Sequence, residues 1–275
     1  MLNKFIVIAF VLASNLLPVK SALSQEVSEC KCGSVFKSGK GSFYITWGYN
    51  LDWYGKSNLH FKGNDFGGYD FTLYKAKAHD NPGLGYILNS DISIPQYVYR
   101  VGYYFNNKSL TGIEIAFDHS KYIMTQNQKV RVKGTIQGEV MDKDTIVGSD
   151  FLKFEHTNGA NFLMANFIKR YCLYTSENKK HRLQLVMKAG AGIVIPKTDV
   201  TLFGQRLDNR FHIAGYVAGL DAGLRYDLFR YAFIETSLKG VFANYTNVLT
   251  VGDGRAHHHF FAGEYIFAAG FQIGI

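Results

Sequence analysis

The chain has 275 residues, 47% hydrophobic, 15% aromatic and 19% charged, with a formal net charge of +8. That length suits one barrel-sized domain or two small ones. No run after the N-terminus reaches the 18 apolar residues of a membrane-spanning helix.

Residues 1–24 read as a secretory signal. Lys4 precedes an apolar core from Phe5 to Leu17, and Ala22-Leu23-Ser24 follows the small-x-small cleavage pattern. Their removal takes away Lys4 and Lys20 and no acid, which lowers the charge to +6. Basic chains often meet nucleic acid, but an exported one meets anionic lipopolysaccharide and lipid headgroups instead. Residues 25–41 are polar and predict a periplasmic tail. Residues 42–275 predict the folded domain. The whole chain holds four prolines, 18 Tyr and 22 Phe, a balance that favours strands with aromatic girdles.

The first strand is Phe43, Ile45, Trp47, Tyr49, Leu51 and Trp53 alternating with Tyr44, Thr46, Gly48, Asn50 and Asp52. Residues 54–95 predict a long connection with a short strand-like piece at Tyr69–Tyr74. Tyr97 to Phe105 gives the second strand, and Asn106 to Ser109 a tight turn. The third carries Ile113, Ile115 and Phe117 against Glu114, Asp118 and Ser120. Residues 123–150 predict a second polar connection, with room for a hairpin around Val130–Val140.

Phe151 to Leu173 predicts the fourth strand, and Ser176 to Lys180 a turn. The fifth puts Leu183, Leu185, Met187, Ala189, Ala191, Ile193 and Ile195 opposite Arg182, Gln184 and Lys188. Residues 197–210 predict a loop. The sixth runs from His212 to Leu228, with Asp221, Arg225 and Asp227 on its polar face. The seventh sets Ile234, Leu238 and Phe242 against Glu235, Ser237 and Lys239. Residues 245–257 predict the last loop. The eighth, Phe260 to Ile275, keeps Phe261, Tyr265, Phe267, Ala269, Phe271, Ile273 and Ile275 on one face to the end of the chain.

Eight strands with alternating long and short connections predict an all-β fold: a closed antiparallel transmembrane β-barrel of eight strands, or ten if 69–74 or 130–140 supplies extra strands. The pattern resembles the OmpA- and OmpX-type small outer-membrane barrels over nearly the whole mature chain. The last strand resembles the C-terminal signal read by the barrel-assembly machinery, with Ile275 where Phe is usual. That resemblance implies a Gram-negative outer-membrane location and two partners, outer-membrane lipid with lipopolysaccharide and the assembly machinery. The predicted inward set is Arg100, Glu114, Asp118, Arg170, Lys188, Asp221, Arg225, Glu235, Lys239 and Glu264. Mixed signs allow these to pair in a lumen filled by side chains, so no general porin is predicted. A soluble lipocalin-like carrier would need the opposite polarity of its two faces.

Cys30, Cys32 and Cys172 are the only cysteines. Cys172 falls at the periplasmic end of its strand. A bridge to Cys30 or Cys32 would pin the tail below the barrel; the alternative is three unpaired thiols. Too few ligands accompany them for zinc, and nothing in the sequence calls for a cofactor.

Eight of the nine histidines, all but His181, gather toward the predicted outer rim. Two segments there hold the residue types of acyl transfer: a hydroxyl, a histidine and a group to orient it. One is Asp118-His119-Ser120; the other is Glu155-His156-Thr157-Asn158. His156-Thr157-Asn158-Gly159 resembles the His-x-Ser-Asn-Gly run of the phospholipase A barrel, one residue short and with Thr for Ser. His119 and Ser120 resemble the His-x-Ser pair of the lipid A deacylase PagL without its spacer, and His, Asp and Ser at an outer rim are also the residue types of the palmitoyltransferase PagP. The resemblance implies lipid acyl chemistry, but alternation sets His119 opposite Asp118 and Ser120. His257-His258-His259 suggests either metal or a solvated loop tip. The dense segment from Trp53 to Pro82 is left open as a lid, a surface-binding loop or a partner site.

Overall fold

The computed structural model describes residues 41–82, 95–106, 110–178 and 180–275. The predicted signal peptide and most of the tail, with Cys30 and Cys32, lie outside them. Among the described residues seventeen strands follow in chain order. These are β1 (Ser42–Tyr54), β2 (Ser57–Gly63), β3 (Tyr69–Ala76), β4 (Ala78–His79), β5 (Tyr97–Tyr104), β6 (Thr111–His119), β7 (Tyr122–Met124), β8 (Gln128–Ile136) and β9 (Glu139–Val147). Then come β10 (Leu152–His156), β11 (Phe162–Thr175), β12 (Arg182–Val194), β13 (Asp199–Leu202), β14 (Gln205–Asp208), β15 (Gly215–Asp227), β16 (Ala232–Leu249) and β17 (Arg255–Gly274).

Eight of them form a ring. The order is β1, β5, β6, β11, β12, β15, β16, β17, every pair antiparallel, and β17 returns to β1 from Ser42↔Gly274 to Tyr54↔Ala262. Pairing every strand on both sides leaves no open edge, the condition for backbone to cross hydrocarbon. Period-two alternation does the rest. Outward residues are exposed and apolar, among them Trp53 (58%), Leu220 (70%), Leu238 (65%) and Phe271 (64%). The ten charged residues predicted to face inward are all buried. Such a belt suits lipid and not water. Two aromatics cover glycines on the neighbouring strand: Tyr44 opposite Gly102 and Phe233 opposite Gly270. A Cβ at either glycine would lie 2.3 Å from its aromatic partner's ring. The rings fill space that the small residues leave at the tight curve of the ring.

Gly41 accepts a hydrogen bond from the Ile275 amide (3.0 Å), which puts both ends of the described chain at one end of the ring. The connections joining β5 to β6, β11 to β12 and β15 to β16 are short and lie there too. Cys172, near that end of β11, is disulfide-bonded. Cys30 and Cys32 are the only other cysteines in the chain.

The other end differs from the sequence reading. The segments expected to be loops fold into two sheets. β2, β3, β8 and β9 extend the ring sheet upward from the outer part of β17, where His257 pairs with His60. β14, β13, β10, β7 and β4 form a second sheet. Tyr69–Tyr74 is therefore a strand and 130–140 a hairpin, as their pattern suggested, but both stand above the ring rather than in it. The segment Phe151 to Leu173 is two strands, β10 and β11, in different sheets. The sixth ring strand starts at Gly215, past His212 and a buried Ala214. The last connection shrinks to residues 250–254, because β16 and β17 run 18 and 20 residues. His257, His258 and His259 thus lie in a strand.

The two upper sheets share an apolar core. Leu59, Phe61, Phe71, Leu73 and Val132 meet Leu152, Phe154, Val200 and Leu202, and the cluster continues to Phe162, Val217, Val241 and Phe260 inside the mouth of the ring. Phe61 stacks on Phe71 (5.4 Å) and meets Phe154 edge-on (5.4 Å). This head is one packed body with the barrel mouth. Its alternation was hard to see because one apolar set is short in each strand.

Leu238→Arg is expected to lower the urea midpoint of the protein in lipid vesicles, at a cost of ~2–4 kcal/mol. An unchanged midpoint would place that face away from lipid.

Candidate functional site

The lumen is filled in layers. Nearest the chain ends, Arg182 and Arg225 donate to Asp227 (2.5 and 3.0 Å), Arg225 also donates to Gln272 (2.7 Å), and the Arg170 guanidinium lies 3.7 Å over the Tyr104 ring. In the middle, Glu114 accepts from Tyr44 (2.6 Å), Asn166 (3.0 Å) and Lys188 (3.1 Å), and Lys188 also donates to Glu235 (2.7 Å). Above them Asp118 accepts from both Arg100 and Lys239, and Lys239 reaches Glu264 at 3.1 Å. Cross-strand neighbours supply these partners, such as Asp221 opposite both Lys188 and Lys239. Among the described residues, ion pairs occupy the ring interior along its length.

Over this column the head closes the mouth with rings. His156 comes from β10 and His258 from β17, and their Nε2 atoms are 3.3 Å apart. Thr198 Oγ1 lies 3.0 Å from His156 Nδ1. Tyr245 stacks on both histidines (5.2 and 4.7 Å) and donates to the Ala160 carbonyl (2.6 Å). Phe154, Tyr122 and Phe260 complete the wall. The outward neighbours of His258 are His257 and His259, so this layer stands above the apolar belt. Burial alone pushes His156 down to about 3, and burial with neighbouring histidines holds His258 well below the ordinary range. Both rings are neutral at physiological pH, and His258 Nδ1 has no hydrogen-bond partner among the described residues.

The residues singled out from the sequence fall in separate places. Asp118 belongs to the lumen pairs. His119 faces outward, stacks on Tyr97 (4.7 Å) and contacts Asn161 Oδ1 through Nδ1 (2.8 Å). Ser120 faces inward and accepts from Asn50 Nδ2 (3.0 Å), whose other contact is the Asp52 carboxylate (3.0 Å). Glu155 accepts from Lys153 (2.9 Å) and Thr157 (3.3 Å). His156 is turned to His258, and Asn158 sits in an exposed turn. Among the described residues no hydroxyl of this set meets a histidine; at the mouth, His156 meets the hydroxyl of Thr198 instead. Among the described residues no group of three His, Cys, Asp or Glu is placed to hold a metal ion. The histidine run alternates faces, so its rings diverge. Arg206, from the neighbouring β14, holds the Asp199 carboxyl below the usual range by a bidentate hydrogen bond (2.9 and 2.6 Å).

No protein-family model and no curated protein sequence matches the chain. Among solved structures the chain is similar to the outer membrane protein OprG of Pseudomonas aeruginosa, with 12% identity, a TM-score of 0.38, and 89% of this chain and 99% of that one covered. It is similar to the neisserial surface protein A at 11% identity and a TM-score of 0.33, covering 86% and 98%. It is also similar to Ail, the attachment invasion locus protein of Yersinia pestis, at 12% identity and a TM-score of 0.31, covering 85% and 99%. The eight-strand ring, its apolar belt and its short turns at the terminal end give this chain the architecture of the small outer-membrane β-barrels.

Two outcomes test this geometry. Lys188→Met leaves Glu114 and Glu235 without their shared cation and is expected to cost ~3–5 kcal/mol in unfolding titrations. The histidine pair sets a pH dependence. In the unfolded chain a histidine protonates near its ordinary value of 6.5, whereas folded His156 stays neutral down to about 3. Its stabilisation is therefore complete above 6.5 and lost as pH falls through that window. Limited proteolysis at pH 4 is expected to cut the head of the native protein, and His156→Phe with His258→Phe to suppress the acid sensitivity.

Proposed function

We propose that this chain is a Gram-negative outer-membrane anchor that displays a rigid β-sheet head for binding at the cell surface. One observation carries the reading. The connections on one side fold into a packed two-sheet body fused to the barrel mouth, while the lumen beneath is filled with paired charges. A channel needs the opposite, an open lumen under movable loops. A lipid acyl hydrolase or acyltransferase needs a nucleophile beside a base at the lipid level, and Ser120 and His119 point to opposite faces.

Three readouts decide it. Val140, at the head's hairpin tip and 84% exposed, is replaced by cysteine and treated with a membrane-impermeant maleimide on intact cells in the presence of the native disulfide. Labelling is expected; labelling only after lysis would put the head on the wrong side. Planar bilayers containing the protein are expected to show no steady conductance. Lipid acyl chains, compared by mass spectrometry with and without expression, are expected to be identical. A changed acyl pattern would replace the binding role with catalysis.

A further inference from the structure

The head has a basic cleft of about 570 Å³ at its base, lined by Lys56, Lys75, Lys77, Lys129, Arg131, Tyr74, Gln128 and Val130. It lies where β2 begins, β3 ends and β8 begins, the ends of those strands nearest the barrel. Lys56 follows Trp53, the last outward aromatic of β1, by three residues. The cleft therefore opens at the height where the apolar belt gives way to headgroups.

Its charge is not cancelled within the head. Arg131 is neutralised by Asp142 (2.8 Å), and Lys129 lies 3.7 Å from Asp144. Lys56, Lys75 and Lys77 are exposed, and among the described residues none has an acidic partner within 4 Å. Three uncompensated cations converge on one concavity.

The backbone that carries them is fixed. Lys75 has a left-handed φ of 56° at a register shift between β2 and β3, and its amide donates to Asn58 Oδ1 (2.9 Å). A non-glycine residue keeps that conformation only where its surroundings impose it, and such positions gather at ligand clamps. The Lys77 amide donates to Gln128 Oε1 (2.8 Å), and Gln128 Nε2 donates back to the Lys77 carbonyl (3.0 Å). Tyr74 adds a half-exposed ring on which a sugar face can rest. Cations at fixed spacing beside an aromatic ring and an amide suit a phosphorylated sugar.

We infer that this cleft binds the phosphorylated sugar headgroup of a lipid in the leaflet surrounding the barrel's outer rim. The inference rests on the anchor reading above and adds a ligand class and its residues. The cleft's height selects a lipid over a soluble ligand, because a headgroup held in the leaflet is already at the level of Lys56. The lysine stems reach along the apolar surface while their ammonium groups meet the phosphates.

The test uses the full chain in phosphatidylcholine nanodiscs containing diphosphoryl lipid A, enzymatically dephosphorylated lipid A, or neither with soluble glucose 1,6-bisphosphate added. Heat-modifiable gel migration is read first; its absence in the native protein would overturn the barrel reading itself. Bound lipid is then counted by native mass spectrometry. The native protein is expected to retain diphosphoryl lipid A and to release the dephosphorylated form. Lys56→Gln with Lys75→Gln and Lys77→Gln is expected to weaken retention roughly a hundredfold, the worth of three interfacial cations. Lys62→Gln with Lys133→Gln and Lys143→Gln, farther up the same head, is expected to leave it unchanged. If the triple variant migrates as unfolded, Lys75→Gln and Lys77→Gln are measured singly, each with about a fivefold loss expected. Equal retention by the native protein and folded cleft variants, equal loss in the control variant, or indifference to phosphate would overturn the proposal. Equal affinity for the soluble bisphosphate would overturn the lipid source.

Discussion

The structure depends on the pairing of charges inside a space too narrow for water to solvate them. Each inward carboxylate has lost its hydration, and only a cation or several hydrogen-bond donors at contact distance replace it. Glu114 shows the arrangement, with Tyr44, Asn166 and Lys188 around one carboxylate. The partners come from different strands, so the network fixes ring register as well as filling the lumen. A shift of one residue on any strand would put its charged set into lipid and its apolar set against the ion pairs.

The head obeys a different rule above the belt. There the alternation reverses its meaning, since the apolar set packs between two sheets and the polar set faces water. β17 carries both rules on one strand. From Phe261 down its outward face is apolar for lipid; at His257 and His259 that face becomes polar, while the inward face passes from Glu264 and Gln272 to His258 and Phe260. The mouth is therefore a seam between ionic and aromatic packing, and the neutral histidine pair sits on it.

The ring was readable because each of its strands is long enough for period two to repeat several times, and because the lipid face tolerates almost no charge. Trp47, Leu220 and Phe271 are unambiguous on that basis. The head was not readable by the same means. β10, β13 and β14 have four or five residues, too few repeats to distinguish a strand from a polar connection. The ends of ring strands failed for a related reason, as β16 and β17 continue beyond the point where their outward residues stop being apolar. Continuing the inward count back from Glu264 through Ala262 and Phe260 reaches His258, a signal that was present but masked by its two histidine neighbours. His156 offered none, since its partner lies about a hundred positions away, and the cleft lysines come together only once β2 pairs with β3 and β8 lies alongside.

β2 pairs with β3 on one edge and joins the ring on the other through Arg255–His257, near the other end of the chain. In order of synthesis the β2–β3 hairpin exists long before the strand on which it is seated. Until β17 is delivered, Leu59, Phe61, Phe71 and Leu73 can meet the facing residues of β10 and β13, but their sheet has no ring strand to join. The head is thus seated on the barrel by the same strand that pairs with β1 to complete the ring. Periplasmic holding factors that keep apolar strands apart would meet this hairpin's apolar face during transit, a face that the finished protein buries.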